Sequence, residues 1–162
     1  MGFFDVIRNR YSCKKFDDRA VPAEQLNAIL EAGRVTPTAK NLQEQRSYVV
    51  QSEEGLAKID KVTAYRYGTP TAVVVVLDRN HVFTYPSGKH DSGAKDAAIV
   101  ATHTMLAAEG DGASCAAHTA KGTFGDRDLY LEIEKFKMKN TFVACFSASG
   151  VTTRVTGTLD FT

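Results

Sequence analysis

Arg8-Asn9-Arg10-Tyr11-Ser12-Cys13-Lys14-Lys15-Phe16 is the densest polar stretch of the chain, with four cations, a hydroxyl and an amide inside eight residues. Guanidinium forks, ammonium charge and a serine hydroxyl together suit a phosphate. The same run also reads as a solvated basic loop balanced by Asp17 and Asp18. A second polar run, Thr36-Pro37-Thr38-Ala39-Lys40-Asn41-Leu42-Gln43-Glu44-Gln45-Arg46, follows a proline break and lies just ahead of a strand pattern. Asn and Gln donate and accept together, which suits a heterocycle edge carrying both kinds of group. A polar connecting loop is its other reading.

These runs stand in an otherwise balanced chain. Lys+Arg 20 against Asp+Glu 19 leaves a formal charge of +1, so any anion site must be local, and nothing global favours nucleic acid or an anionic membrane. A hydrophobic fraction of 43% with nine Phe and six Tyr argues against disorder, and 162 residues make about one domain, 1–162. The longest uncharged apolar run, residues 69–77, is far short of the ~20 residues that span a bilayer. The N-terminus shows no secretory or myristoylation pattern. Cys13, Cys115 and Cys145 are widely spaced without a CxxC pair, which suggests reduced thiols in a cytoplasmic protein. His81, His90, His103 and His118 show no i,i+4 spacing, so no metal site is expected.

The elements that must position the two runs follow from periodicity. Residues 3–10 suggest a short amphipathic helix, and residues 11–20 a loop. Pro22 opens a second helix whose inner face is Leu26, Ile29, Leu30 and Gly33, ended by Thr36-Pro37-Thr38. Residues 46–52 read as a strand, and Glu53–Val62 as a helix with Leu56 and Ile59 inward. Thr71–Leu77 is a continuous β-branched run, hence a central strand covered on both faces. Residues 91–109 form the longest helical pattern, with Ala94, Ala98, Ala101, Met105 and Ala108 tracing one face up to Gly110-Asp111-Gly112. Residues 129–138 fit either helix or strand, residues 141–146 fit a strand, and residues 151–162 are open. The order of elements argues for helices covering a sheet, α/β or α+β.

Arg10-Tyr11-Ser12-Cys13-Lys14-Lys15-Phe16-Asp17, Pro22, Ile29-Leu30-Glu31-Ala32-Gly33 and Pro37-Thr38-Ala39-Lys40-Asn41-Leu42-Gln43 together resemble the FMN-dependent nitroreductase family. Arg66-Tyr67-Gly68-Thr69-Pro70, and Asp91-Ser92-Gly93 leading into residues 97–103, extend the likeness over about residues 3–116. The resemblance implies an α+β fold, a central mostly antiparallel sheet flanked by helices, in an intertwined homodimer with FMN at the subunit interface. It implies an NAD(P)H oxidoreductase in which FMN takes a hydride at N5 and then, by a ping-pong mechanism, reduces a nitroaromatic, quinone or similar small-molecule acceptor. Carried over by motif, Arg10, Tyr11, Ser12 and Lys14 would meet the flavin, Tyr11 through its backbone. Pro37, Thr38, Asn41 and Gln43 would reach it from the partner subunit. No side chain is expected to act as a nucleophile, because the cofactor carries the reaction, and Lys14 would supply electrostatic support to the reduced ring.

The chain departs from the family pattern after Cys115. Ala116-Ala117-His118 stands where a tryptophan-containing strand is usual, Phe146-Ser147-Ala148-Ser149-Gly150 replaces a Leu-Gly-Tyr-Pro-like strand, and Glu44 occupies a position that is often proline. A terminal basic pair that closes on the phosphate is also missing, with Arg154 as its one candidate substitute. A second reading therefore stands beside the first: a flavin-deficient, non-catalytic binding protein on the same fold.

Overall fold

The computed structural model describes residues 2–78, 80–110, 114–120 and 141–147, the last two segments as backbone. The ambiguous segment 129–138, Arg154 and the tail from 151 lie outside the described residues, as does the thiol of Cys115. In chain order the elements are α1 (Phe3–Asn9), α2 (Ala23–Arg34), β1 (Gln45–Val50), α3 (Glu53–Val62), β2 (Thr71–Leu77), α4 (Gly93–Gly110), β3 (Ser114–Ala120) and β4 (Thr141–Ser147). Short 3-10 turns lie at Ala39–Asn41 and Ala64–Arg66.

The sheet has the order β1-β2-β4-β3, and each pairing is antiparallel. Gln45 faces Leu77 and Val50 faces Ala72 on one side of β2, while Thr71 faces Phe146 and Val76 faces Thr141 on the other. All seven residues of β2 are buried, as its β-branched composition requires. The period-two alternation of a strand divides them between two cores. Val73, Val75 and Leu77 meet Ile29 of α2 and Ala97, Val100 and Ala108 of α4. Ala72, Val74 and Val76 meet Ile59 of α3, with Phe16, Tyr48, Val50 and Leu56 around them. The expected α+β architecture, an antiparallel sheet with helices over it, is what the chain forms.

Local signals account for the helix ends. The Ser52 hydroxyl caps α3 by accepting the Gly55 N–H at 3.2 Å, with Glu53 and Glu54 in the first turn and Lys61 in the last, so charges complement both ends of the helix. Gly33 lets α2 approach α4 closely, since a Cβ there would lie 2.8 Å from the Thr104 hydroxyl. The inner face of α4 differs from the alanine stripe expected from sequence. It consists of Gly93, Asp96, Ala97, Val100, Ala101, Thr104 and Ala108, while Ala94 is exposed. An alanine-rich helix is nearly as apolar on one side as on the other, so small side chains give little periodic contrast. The buried face also carries two polar side chains: Thr104 Oγ1 donates to the Val100 carbonyl at 2.8 Å, and Asp96 Oδ1 accepts the Ala39 N–H at 3.1 Å.

Candidate functional site

α1 ends at Arg10, whose N–H closes the last turn on the Val6 carbonyl at 2.9 Å before the chain turns extended. Burial then alternates between anchor and display. Ser12 and Cys13 are buried, while Lys14 and Lys15 are exposed. The Cys13 thiol donates to the Lys15 carbonyl at 2.9 Å, and burial pushes that thiol above its ordinary pKa, which fits an anchoring rather than a reactive cysteine.

The half-buried Arg10 guanidinium reaches across to α4 and donates to the Met105 sulfur at 3.9 Å, a weak acceptor. Arg8, Arg10, Lys14 and Lys15 take part in no ion pair among the described residues. Asp17 does not balance the basic run; instead it takes the Arg19 guanidinium, Nε at 2.9 Å and Nη2 at 2.7 Å. Positive charge is thus gathered at the end of α1 with no ion-pair partner among the described residues.

The second run forms a tight loop. Lys40, Asn41 and Gln43 all have positive φ, 52°, 55° and 51°. For three non-glycine residues in four positions this is a costly backbone held by its surroundings, the kind of local strain that clusters at functional sites. Gln43 supplies much of the hold. Its side-chain amide donates to the Thr36 carbonyl at 3.1 Å and to Asn41 Oδ1 at 3.0 Å, and its N–H donates to Thr38 Oγ1 at 3.0 Å. Gln43 is therefore engaged within the loop, whereas Pro37 and Asn41 are exposed and Thr38 is half-buried. The Ala39 N–H donates to Asp96 Oδ1 of α4 at 3.1 Å, fixing the loop to the first turn of that helix.

Both clusters are thus moored on α4, one at Met105 and the other at Asp96, nine residues or about 14 Å apart along the axis. The described contacts bring Arg10 and Met105 together, and Gln43, Thr38 and Asn41 together. They do not join the two groups within one chain. Asp96 was not singled out from the sequence, and Glu44 was marked only as standing at an often-proline position; both are almost wholly buried beside this loop. An acid in the first turn of an otherwise alanine-rich helix was the available signal for Asp96. Tyr65 and Tyr67 lie on the Ala64–Arg66 turn and its left-handed cap, with ring centroids 6.1 Å apart.

The segment holding both clusters, residues 7–67, matches the family model described as Nitroreductase family. Over nearly its whole length the chain superposes on a nitroreductase family protein of Clostridium difficile 630, with a TM-score of 0.79 and 29% identity over 93% of this chain and 86% of that one. In that segment and in its fold the chain is similar to the nitroreductase family. A curated Methanothermobacter thermautotrophicus relative, provisionally named NADH dehydrogenase/NAD(P)H nitroreductase, is 33% identical over 81 residues, which are 48% of this chain. That match spans 42% of the relative's own length. The nitroreductase fold also superposes on a Bacteroides fragilis NCTC 9343 nitroreductase solved with bound FMN, at a TM-score of 0.74, 18% identity and coverage of 99% and 95%. No helix among the described residues is long and apolar enough to cross a membrane.

Proposed function

We propose that the chain works as one domain in an FMN-dependent NAD(P)H oxidoreductase, a cytoplasmic homodimer that reduces a nitroaromatic, quinone or similar small-molecule acceptor. The observation that carries the reading is the set of cations at the end of α1, held by the fold yet without a carboxylate partner among the described residues. A flavin phosphate is a dianion, and this donor set fits it. Arg10 offers a guanidinium whose acceptor among the described residues is a thioether, Ser12 a hydroxyl, and Lys14 an exposed ammonium. FMN, when bound, supplies hydride acceptance and onward electron transfer.

The remaining work falls to this chain's own residues. Arg10 and Ser12 bind and orient the phosphorylated arm, Tyr11 contributes backbone polar groups, and Lys14 places positive charge beside the ring. Pro37, Thr38 and Asn41 line the ring from the partner subunit. Gln43 acts chiefly by keeping their backbone in its left-handed form. The separation of the two clusters along α4 supports completion of each site across a dimer, since one chain's contacts do not unite them. FMN-bound relatives with the same fold support the choice of cofactor.

Purified protein is expected to be yellow, with flavin absorbance bands that NADH or NADPH bleaches without oxygen. A colourless preparation that also fails to take up added FMN overturns the reading and leaves the flavin-deficient alternative.

A further inference from the structure

Glu44 is 1% exposed and Asp96 is 4% exposed. Four carboxyl oxygens are therefore withdrawn from water, and only Asp96 Oδ1 is satisfied by a described donor, the Ala39 N–H. Glu44 Oε1, Glu44 Oε2 and Asp96 Oδ2 are buried with no donor among the described residues. Two ionised acids offer acceptors alone, so such a pair is satisfied only when a proton lies between them.

Among the described residues, no cation is turned toward the pair. Asp91, just ahead of α4, adds further negative charge to Glu44. The cations nearby in the chain are directed elsewhere. Lys40 stands over the Phe83 ring at 4.8 Å, Lys95 over the Tyr85 ring at 4.6 Å, and Arg46 donates to the Gln43 and Gln45 carbonyls. Asp78, whose N–H pairs with the Glu44 carbonyl, has its carboxylate against His81.

We propose that Glu44 and Asp96 are positioning residues that share one proton, and that this proton latches the 38–43 loop to the first turn of α4. Asp96 carries the negative charge, because the helix N-terminus and the Ala39 N–H both favour it there. Glu44 therefore keeps the proton and donates it to Asp96. Removing the proton leaves two like charges in a buried place, and the loop loses its hold. Burial, the bond to Asp96 and the charges of Asp96 and Asp91 together push the Glu44 carboxyl up from 4.5 to about 7. A folded-state value above the unfolded one means that the stabilisation is complete below about pH 4.5 and is lost as pH rises to about 7. The effect on flavin rests on the function proposed above; the shared proton does not.

The test compares thermal unfolding of the full chain with that of Glu44→Gln between pH 5 and pH 8. Glutamine keeps a donor toward Asp96 at every pH, so wild type should lose melting temperature relative to the variant between pH 5 and 7 and hold a constant difference above. A difference that stays flat over the whole range overturns the latch. Asp96→Asn removes the other charge and should abolish the same loss. In unmodified protein, the carboxyl carbon-13 resonance of Glu44 should titrate near 7, and a midpoint near 4.5 refutes the sharing. FMN titration supplies the second arm, with wild-type Kd rising several-fold from pH 6 to 8 relative to Glu44→Gln. If FMN binds equally in both at every pH, the proton does not position the loop. If FMN fails to bind at any pH while the melting data behave as stated, the latch stands and the flavin reading falls.

Discussion

Arg10→Ala is expected to weaken FMN binding by about 1.5–3 kcal/mol, or roughly 10- to 150-fold in Kd, because a charge-assisted bond to phosphate is among the stronger polar contacts. The loss should be in binding and not in folding. Among the described residues the guanidinium leaves behind only a contact to the Met105 sulfur, and no carboxylate is stranded when it goes. Arg10→Lys separates charge from geometry, since lysine restores a point charge but not the two-pronged donor. Fluorescence titration of apoprotein with FMN, alongside melting curves, measures both quantities. Undiminished affinity in Arg10→Ala removes that residue from the phosphate site.

Ile29→Ala should cost about 2–5 kcal/mol of stability, the largest effect expected of a single truncation. Ile29 is wholly buried and meets the Val73, Val75 and Leu77 face of β2, so its loss leaves a cavity between α2 and the sheet. In a chain of this size such a loss lowers Tm by roughly 4–20 °C. Val49→Ala is the control, because Val49 lies exposed on the outer strand, where truncation should change stability by less than about 0.5 kcal/mol. Calorimetry of the two variants decides the matter. Equal melting of Ile29→Ala and wild type would refute the packing of α2 on β2.

How much was legible in the sequence depended on how local each cause is. β2 and α3 were read with their observed limits, because a β-branched run and an apolar face at Leu56 and Ile59 act within a few residues. The first strand was placed at 46–52 and forms at Gln45–Val50, a shift at its ends alone. The face of α4 was misjudged where alanine blurs the periodic contrast, and the correct face is marked by Asp96 and Thr104 through bonds that only the folded chain reveals. The left-handed turn at Lys40, Asn41 and Gln43 has no glycine to announce it. Both polar runs were visible as chemistry. That Asp17 would turn to Arg19 and not to the basic run was a choice between two readings that composition could not make. The pairing of Glu44 with Asp96 joins distant segments and carries no local signature at all.

Because α4 carries both moorings, their relative placement is a property of one stiff rod. Removing a single residue between Asp96 and Met105 would shorten that rod by about 1.5 Å and swing one attachment by about 100° against the other. Substitutions there perturb the two regions separately, whereas a change of length throws them out of phase together. The helix acts as a gauge block, and its residue count is as much a part of the site as the side chains at its ends.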